Sequence, residues 1–184
     1  MERKGLDISS YQKGINFDEI KSKVDFLILR TGFTGWGGDG TNKNKDSCFE
    51  DFYSKSKARG IPVGAYWYSC ANTYEKGKAE AEYLYNNCLK GKQFEYPIYM
   101  DVEEDRHQQV GKSKMADAIK GFCEYLENKG YYVGIYANSN YFNNYIDTAK
   151  LSMYDKWLAV WTSNKPSFKY GDYGLWQNSS SGYI

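Results

Sequence analysis

The chain has 184 residues, enough for one domain with a substantial buried core. Its 24 basic and 23 acidic residues leave a net charge of +1 without a basic cluster, which argues against nucleic acid as a main partner. No apolar run approaches the length of a membrane span, so we expect no membrane insertion.

Predicted strands and helices alternate along the chain without a linker. Strands are expected at 5–9, 25–32, 61–69, 96–103, 130–138, 157–161 and 173–179. Helices are expected at 17–24, 48–58, about 74–90, about 112–129 and 141–151. The segment 32–45 is rich in Gly, Asn and Thr and predicts a loop at the rim of a cleft. This order indicates an α/β domain with a mainly parallel sheet.

Polar or aromatic residues recur where the predicted strands end. They are Asp7, Arg30, Tyr68, Asp101 with Glu103, Tyr136, Trp161 and Gln177. Barrels of the TIM type place their active sites at this end of their strands. A doubly wound sheet would usually carry a Gly-rich phosphate loop after its first strand, and the sequence has no such loop.

The strand around Asp101 and Glu103 carries the clearest chemical signal. Side chains alternate along a strand, so these two carboxyls are expected on one face. Neighbouring carboxylates resist joint ionisation, and such a pair can hold one proton near neutral pH, as a general acid requires. A solvated acidic turn is the alternative, since Glu104 and Asp105 follow directly.

Aromatic residues are unusually frequent, with 19 Tyr, 9 Phe and 5 Trp. Tyr and Trp suit a sugar-binding cleft, because their rings stack on the C–H face of a sugar while their polar atoms form hydrogen bonds. AT-rich coding would enrich Tyr, Asn, Lys and Ile together and is an equally good explanation.

The four cysteines show no metal-ligand spacing, and the sequence has only one histidine, His107. We therefore expect reduced core cysteines, no metal and no cofactor. The first residues lead straight into a predicted strand without a secretory signal, so synthesis in a cytoplasm is expected.

Eight stretches together match one known family, in its order and over nearly the whole chain. They are 5–9 with Gln12, 26–32, Asp46 with Phe49, 60–66, 100–103, 134–138, 157–159 and 175–177. With these residues the chain resembles the glycoside hydrolase family 25 lysozymes, the Chalaropsis-type muramidases. The resemblance implies an irregular TIM-like (β/α)5β3 barrel that hydrolyses the β-1,4 bond from N-acetylmuramic acid to N-acetylglucosamine in peptidoglycan. It also suggests the catalytic domain of a bacteriophage endolysin, released through a holin.

The resemblance assigns roles to three acids. Glu103 would be the general acid, Asp101 would raise its pKa and stabilise a substrate-assisted intermediate, and Asp7 would join them in the cleft floor. A capping role in the following turn is the alternative for Asp7. Retention assisted by the substrate's 2-acetamido group is preferred, although the strand spacing alone permits inversion as well.

Further substrate-binding candidates are Arg30, Tyr66, Tyr68, Tyr99, Tyr136, Trp161 and Gln177. Arg30 could bind substrate or pair with the acids, and each aromatic side chain could instead serve barrel packing.

The sequence departs from the family pattern at two places. Trp67 stands where the family often has histidine, so stacking would replace a polar contact. The family's acid after the Trp-Gln strand would fall beyond Ile184, and we expect the chain to lack its last strand and any wall-binding domain. A non-catalytic glycan-binding module is the main alternative function. A chitinase-like hydrolase is a third possibility, although the chain has only Asp-x-Glu of the longer acidic series.

Overall fold

The computed structural model describes residues 2–35 and 42–182. The strands of this part are β1 (Gly5–Ile8), β2 (Phe26–Thr34), β3 (Lys43–Lys45), β4 (Val63–Tyr68), β5 (Ile98–Asp101), β6 (Val133–Asn138), β7 (Asp155–Ala159) and β8 (Leu175–Gln177). The α-helices are α1 (Phe17–Ile20), α2 (Phe49–Ala58), α3 (Tyr74–Leu84), α4 (Lys112–Glu127) and α5 (Ser139–Asn144). Short 3-10 turns lie at Ser10–Gln12, Asp105–Gln109 and Thr148–Leu151, and a π-helical turn at Tyr85–Leu89 extends α3.

The strands form one sheet in the order β1-β2-β4-β5-β6-β7-β8, and each neighbouring pair in this series is parallel. Only β3 is antiparallel, paired with the end of β2. The sheet curls into a half-barrel, in agreement with the predicted α/β class and a TIM-like barrel. At the two ends of the series, the Gln177 side chain on β8 donates a hydrogen bond to Asp7 on β1.

Side-chain alternation divides the buried residues between two layers. Outward-facing residues such as Leu27, Leu29 and Met100 pack under the helices in the larger core. The smaller core fills the inside of the curl and consists of Phe26, Ile28, Tyr99, Tyr136, Trp157 and Ala159. Because both faces are covered, the central strands are apolar over most of their length, as expected for a parallel sheet.

Helices α3 and α4 cross at a close backbone contact. A Cβ built on Gly77 would lie 2.0 Å from the carbonyl oxygen of Ala118, and one on Gly121 would lie 2.1 Å from that of Tyr74. Only glycine permits this separation, which places α3, packed against β2 and β3, next to α4, packed against β5 and β6. All four cysteines are buried and unpaired, as predicted.

The predicted rim loop at 32–45 is only partly correct. Strand β2 continues to Thr34, and Lys43–Lys45 pairs with it, with Gly32 opposite Lys45. Residues 36–41 of this segment lie outside the described residues. None of the helices in the described ranges is long and apolar enough to cross a membrane.

Candidate active site

A cavity of about 160 Å³ opens toward the carboxyl ends of the parallel strands. Its walls come from six different strands and the segment after β5. The lining residues are Asp7, Tyr66, Asp101, Glu103, Tyr136, Trp157 and Gln177. A larger, more open groove of about 650 Å³ lies beside Tyr96 and Tyr132, before β5 and β6, and contains none of the predicted catalytic acids.

Asp101 is the last residue of β5 and is only 4% exposed. Burial raises the pKa of its carboxyl well above the ordinary value, and the charges of Glu103 and Asp7 raise it further. Its Oδ1 atom is buried and accepts no hydrogen bond from any group in the described ranges. A buried acceptor of this kind is free to bind a donor on a ligand.

Glu103 lies beyond the end of β5, which corrects the prediction that the strand itself carries both acids. Its backbone is held in place because the Tyr141 hydroxyl donates to its carbonyl oxygen at 3.0 Å. The side chain is exposed, yet its carboxyl faces the cavity. Desolvation there raises the pKa of Glu103, and the charge of Asp7 raises it further.

Asp7 enters the cavity from β1. Burial raises the pKa of its carboxyl, while the hydrogen bond from Gln177 Nε2 to Asp7 Oδ2, 3.1 Å long, lowers it. Asp7 therefore has the best stabilised negative charge of the three acids, since neither Asp101 nor Glu103 receives a side-chain hydrogen bond in the described ranges.

The three carboxyls cannot all ionise readily in one small cavity, because each negative charge opposes the next. The resemblance predicts that Asp101 raises the pKa of Glu103. In the structure, burial and the charge of Asp7 raise the pKa of Glu103. The pKa of Asp101, which is buried more deeply, is raised more strongly. The electrostatics of the free site thus favour a proton on Asp101 or Glu103.

Aromatic rings form the remaining wall of the cavity. The ring centroid of Trp157 lies 4.6 Å from that of Tyr136 and 5.9 Å from that of Tyr66, both in edge-to-face geometry. Burial also raises the pKa of both tyrosines, so their phenols stay neutral and can donate hydrogen bonds. The sequence analysis did not name Trp157 as a site residue. It lies four residues before Trp161, so side-chain alternation along the predicted strand would have placed both on the same face.

Arg30 lies outside the cavity and does not pair with the three acids. Its Nε donates to Asp46 Oδ2 at 2.7 Å, and its Nη2 donates to Ser10 Oγ at 2.9 Å. The side chain of Asp46 is fully buried. Together, these contacts of Arg30 attach the turn that follows β1 to strand β2. The guanidinium still lowers the pKa of Asp101 through its charge.

Four aromatic residues that the sequence associated with the cleft also lie outside the cavity lining. Tyr99 is fully buried deeper in the curl and donates to Asp155 Oδ2 at 2.6 Å, so it cannot touch a ligand. The Tyr68 hydroxyl donates to Glu104 Oε2 at 3.1 Å. Trp161 is 64% exposed, and its indole donates a hydrogen bond to Gln177 Oε1. Trp67 points outward from the sheet, and its Nε1 donates to Thr34 Oγ1 at 3.2 Å.

The fully buried position of Trp67 under the helices corrects the hypothesis that it stacks on a ligand. No group of three or more His, Cys, Asp or Glu side chains in the described ranges could hold a metal ion.

Residues 6–184 match the family model described as glycosyl hydrolases family 25. The chain belongs to glycosyl hydrolase family 25. Within this family, the sequence is similar to the autolytic lysozyme of Clostridium acetobutylicum, with 27% identity over 98% of this chain and 52% of that protein. The chain thus spans about half the length of this relative.

Solved structures support the same family 25 fold. A family 25 glycosyl hydrolase from Bacillus anthracis has a TM-score of 0.80 and 25% identity, over 98% of this chain and 81% of that one. The CTP1L endolysin has a TM-score of 0.82 and 23% identity, over 97% of this chain and 60% of that one.

Proposed function

We propose that this family 25 domain is an N-acetylmuramidase, which cleaves the β-1,4 bond between N-acetylmuramic acid and N-acetylglucosamine in peptidoglycan. The observation that carries the proposal is the meeting of Asp7, Asp101 and Glu103 in one aromatic-walled cavity. The similarity to an autolytic lysozyme supports the same substrate class.

Glu103 acts as the general acid in this proposal. Its carboxyl lies at the exposed side of the cavity, where a glycosidic oxygen can reach it, and its raised pKa favours the protonated form that a general acid needs. A bound sugar would exclude water and raise the pKa of Glu103 further. The proton passes to the leaving oxygen as the glycosidic bond breaks.

Asp101 stabilises a substrate-assisted intermediate. We assign its unpaired Oδ1 to the N–H of the substrate's 2-acetamido group, because that amide is a donor on the sugar beside the bond to be cleaved. The acetamido oxygen then attacks the anomeric carbon, and the carboxylates of Asp101 and Asp7 stabilise the positive charge that develops. Water, deprotonated by Glu103, completes hydrolysis with retention.

We further propose that the complete fold is a (β/α)5β3 barrel. The parallel strands β1, β2, β4, β5 and β6 are each followed by a helix, and β7 and β8 come after them. The (β/α)5β3 topology needs three strands after the five strand–helix units, so a third strand beside β7 and β8 is part of this proposal. Bacteriophage origin and release through a holin stay predictions.

The test is hydrolysis of purified bacterial cell walls by the wild type, Glu103→Gln and Asp101→Asn. We expect each variant to lose about 100-fold or more in rate, the usual contribution of a general acid for Glu103 and of electrostatic stabilisation of a charged intermediate for Asp101. Asp105→Asn is the matched control, because Asp105 is exposed in the same segment and does not line the cavity. A wild type that binds walls without releasing fragments would support the glycan-binding module instead.

A further inference from the structure

Gln177, at the end of β8, uses both polar atoms of its side-chain amide. Nε2 donates to Asp7 Oδ2 at 3.1 Å. Oε1 accepts two hydrogen bonds, from the Tyr136 hydroxyl at 2.9 Å and from Trp161 Nε1 at 3.1 Å. The amide therefore joins β1, β6 and the segment after β7 at the edge of the cavity.

The indole of Trp161 determines which way this amide points. An indole N–H can only donate, so the atom of Gln177 that faces it has to be the carbonyl oxygen. The amide N–H group is then directed at Asp7. In the reversed orientation, two donors would face each other and the amide oxygen would face a carboxylate, and both contacts are unfavourable.

We propose that Trp161 acts through Gln177 to hold Asp7 as the ionised member of the three-acid cluster. Trp161 and Gln177 are thus positioning residues, and the proton retained by the cluster is confined to Asp101 and Glu103. This inference rests on the proposed function for its catalytic meaning, since Glu103 has to be the acid that carries the proton.

The surroundings of Asp7 show why this hydrogen bond matters. Burial disfavours the ionised carboxyl, and the amide of Gln177 opposes that effect. Among the described residues, Gln177 is the only side chain that donates a hydrogen bond to Asp7. Several ionisable groups of the neighbouring elements belong to the same electrostatic cluster. They are Arg30 on β2, Tyr66 on β4, Asp101 at the end of β5, Glu103 in the segment after it, and Tyr136 on β6. Arg30 is the only cation of this set, and its Nε and Nη2 groups are directed at Asp46 and Ser10.

The direct test is a pH titration of the side-chain carboxyl of Asp7 by carbon-13 NMR, with its signal assigned by Asp7→Asn. Trp161→Phe removes the indole N–H and keeps an aromatic ring, and Trp161 is exposed enough for the fold to persist. We expect the pKa of Asp7 to rise in Trp161→Phe, because the amide can then turn and accept from a protonated Asp7. Gln177→Leu removes the donor itself and should raise it further.

Trp176→Phe is the matched control. Trp176 Nε1 donates to the backbone oxygen of Val160, so this change removes an indole N–H nearby while Gln177 keeps its three partners. An Asp7 titration that is the same in wild type, Trp161→Phe and Gln177→Leu would overturn the proposal. An equal rise in Trp176→Phe would also overturn it, because general loosening would then explain the effect.

The titration needs no substrate, so its result is independent of the proposed function. In the wall-hydrolysis assay, the acid limb of the pH–rate profile should move to higher pH in Trp161→Phe, following Asp7. If the NMR shift occurs but the wild type hydrolyses no wall, the muramidase proposal fails while the positioning of Asp7 stands.

Discussion

Glu80 on α3 is a fully buried carboxyl outside the cavity, and its titration should control much of the pH dependence of stability. It accepts hydrogen bonds from Thr34 Oγ1 at 2.6 Å, Ser69 Oγ at 2.5 Å and the backbone N–H of Cys70 at 3.0 Å. These contacts attach α3 to β2 and to the segment that follows β4. Even so, burial dominates and raises the pKa of Glu80 from 4.5 to about 7.

A raised pKa means that the folded protein binds the proton more tightly than the unfolded chain does. The resulting stabilisation is fully present below pH 4.5 and is lost as the pH rises through about 7. The difference between these two values corresponds to about 3 kcal/mol of unfolding free energy. Glu80→Gln is neutral at every pH, so its stability should lack this loss.

The assay is urea unfolding of wild type and Glu80→Gln at several pH values from 4 to 8. The difference in unfolding free energy between the two proteins should change by about 3 kcal/mol across this range, in favour of the variant at high pH. Glu82→Gln, an exposed change on the same helix, should follow the wild type. Parallel stability curves for wild type and Glu80→Gln would refute the reasoning.

Two further predictions concern packing and charge. Gly121→Ala should destabilise the protein by about 1–2 kcal/mol in urea unfolding, because overpacking against the carbonyl of Tyr74 outweighs the roughly 1 kcal/mol gain in helix propensity. An unchanged or higher stability would show that α3 and α4 can separate freely. Asp46→Asn should cost about 3 kcal/mol, since it leaves the largely buried Arg30 without its counter-charge, and thermal unfolding would measure this loss. A melting temperature equal to that of the wild type would contradict it.

The sequence predicted most of the parallel sheet because its strands are buried on both faces. Runs such as Phe26–Leu29 are apolar without interruption, and turn residues mark their ends. The strand Lys43–Lys45 could not be predicted in this way. It consists of three polar residues, and only its pairing with the end of β2 makes it a strand.

The meeting of the three acids followed from the parallel topology, which gathers the carboxyl ends of strands at one side. The sequence did not predict how deep each inward-facing side chain lies inside the curled sheet. Tyr99 and Asp101 have the same strand parity, yet Tyr99 lies a layer deeper against Asp155 and is shielded from solvent. The ion-pair partner of Arg30 could not be predicted either. The sequence offers several carboxyls as possible partners, and only the folded loop brings Asp46 into contact with Arg30.

The central claim is that this cavity cleaves peptidoglycan on the N-acetylmuramic acid side of the β-1,4 bond. The most direct measurement is digestion of purified cell walls, followed by borohydride reduction of the new reducing ends and mass spectrometry of the fragments. We expect reduced N-acetylmuramic acid at the new ends, and none when Glu103 is replaced by Gln. Reduced N-acetylglucosamine, or fragments released equally by Glu103→Gln, would contradict the proposed bond and the proposed acid.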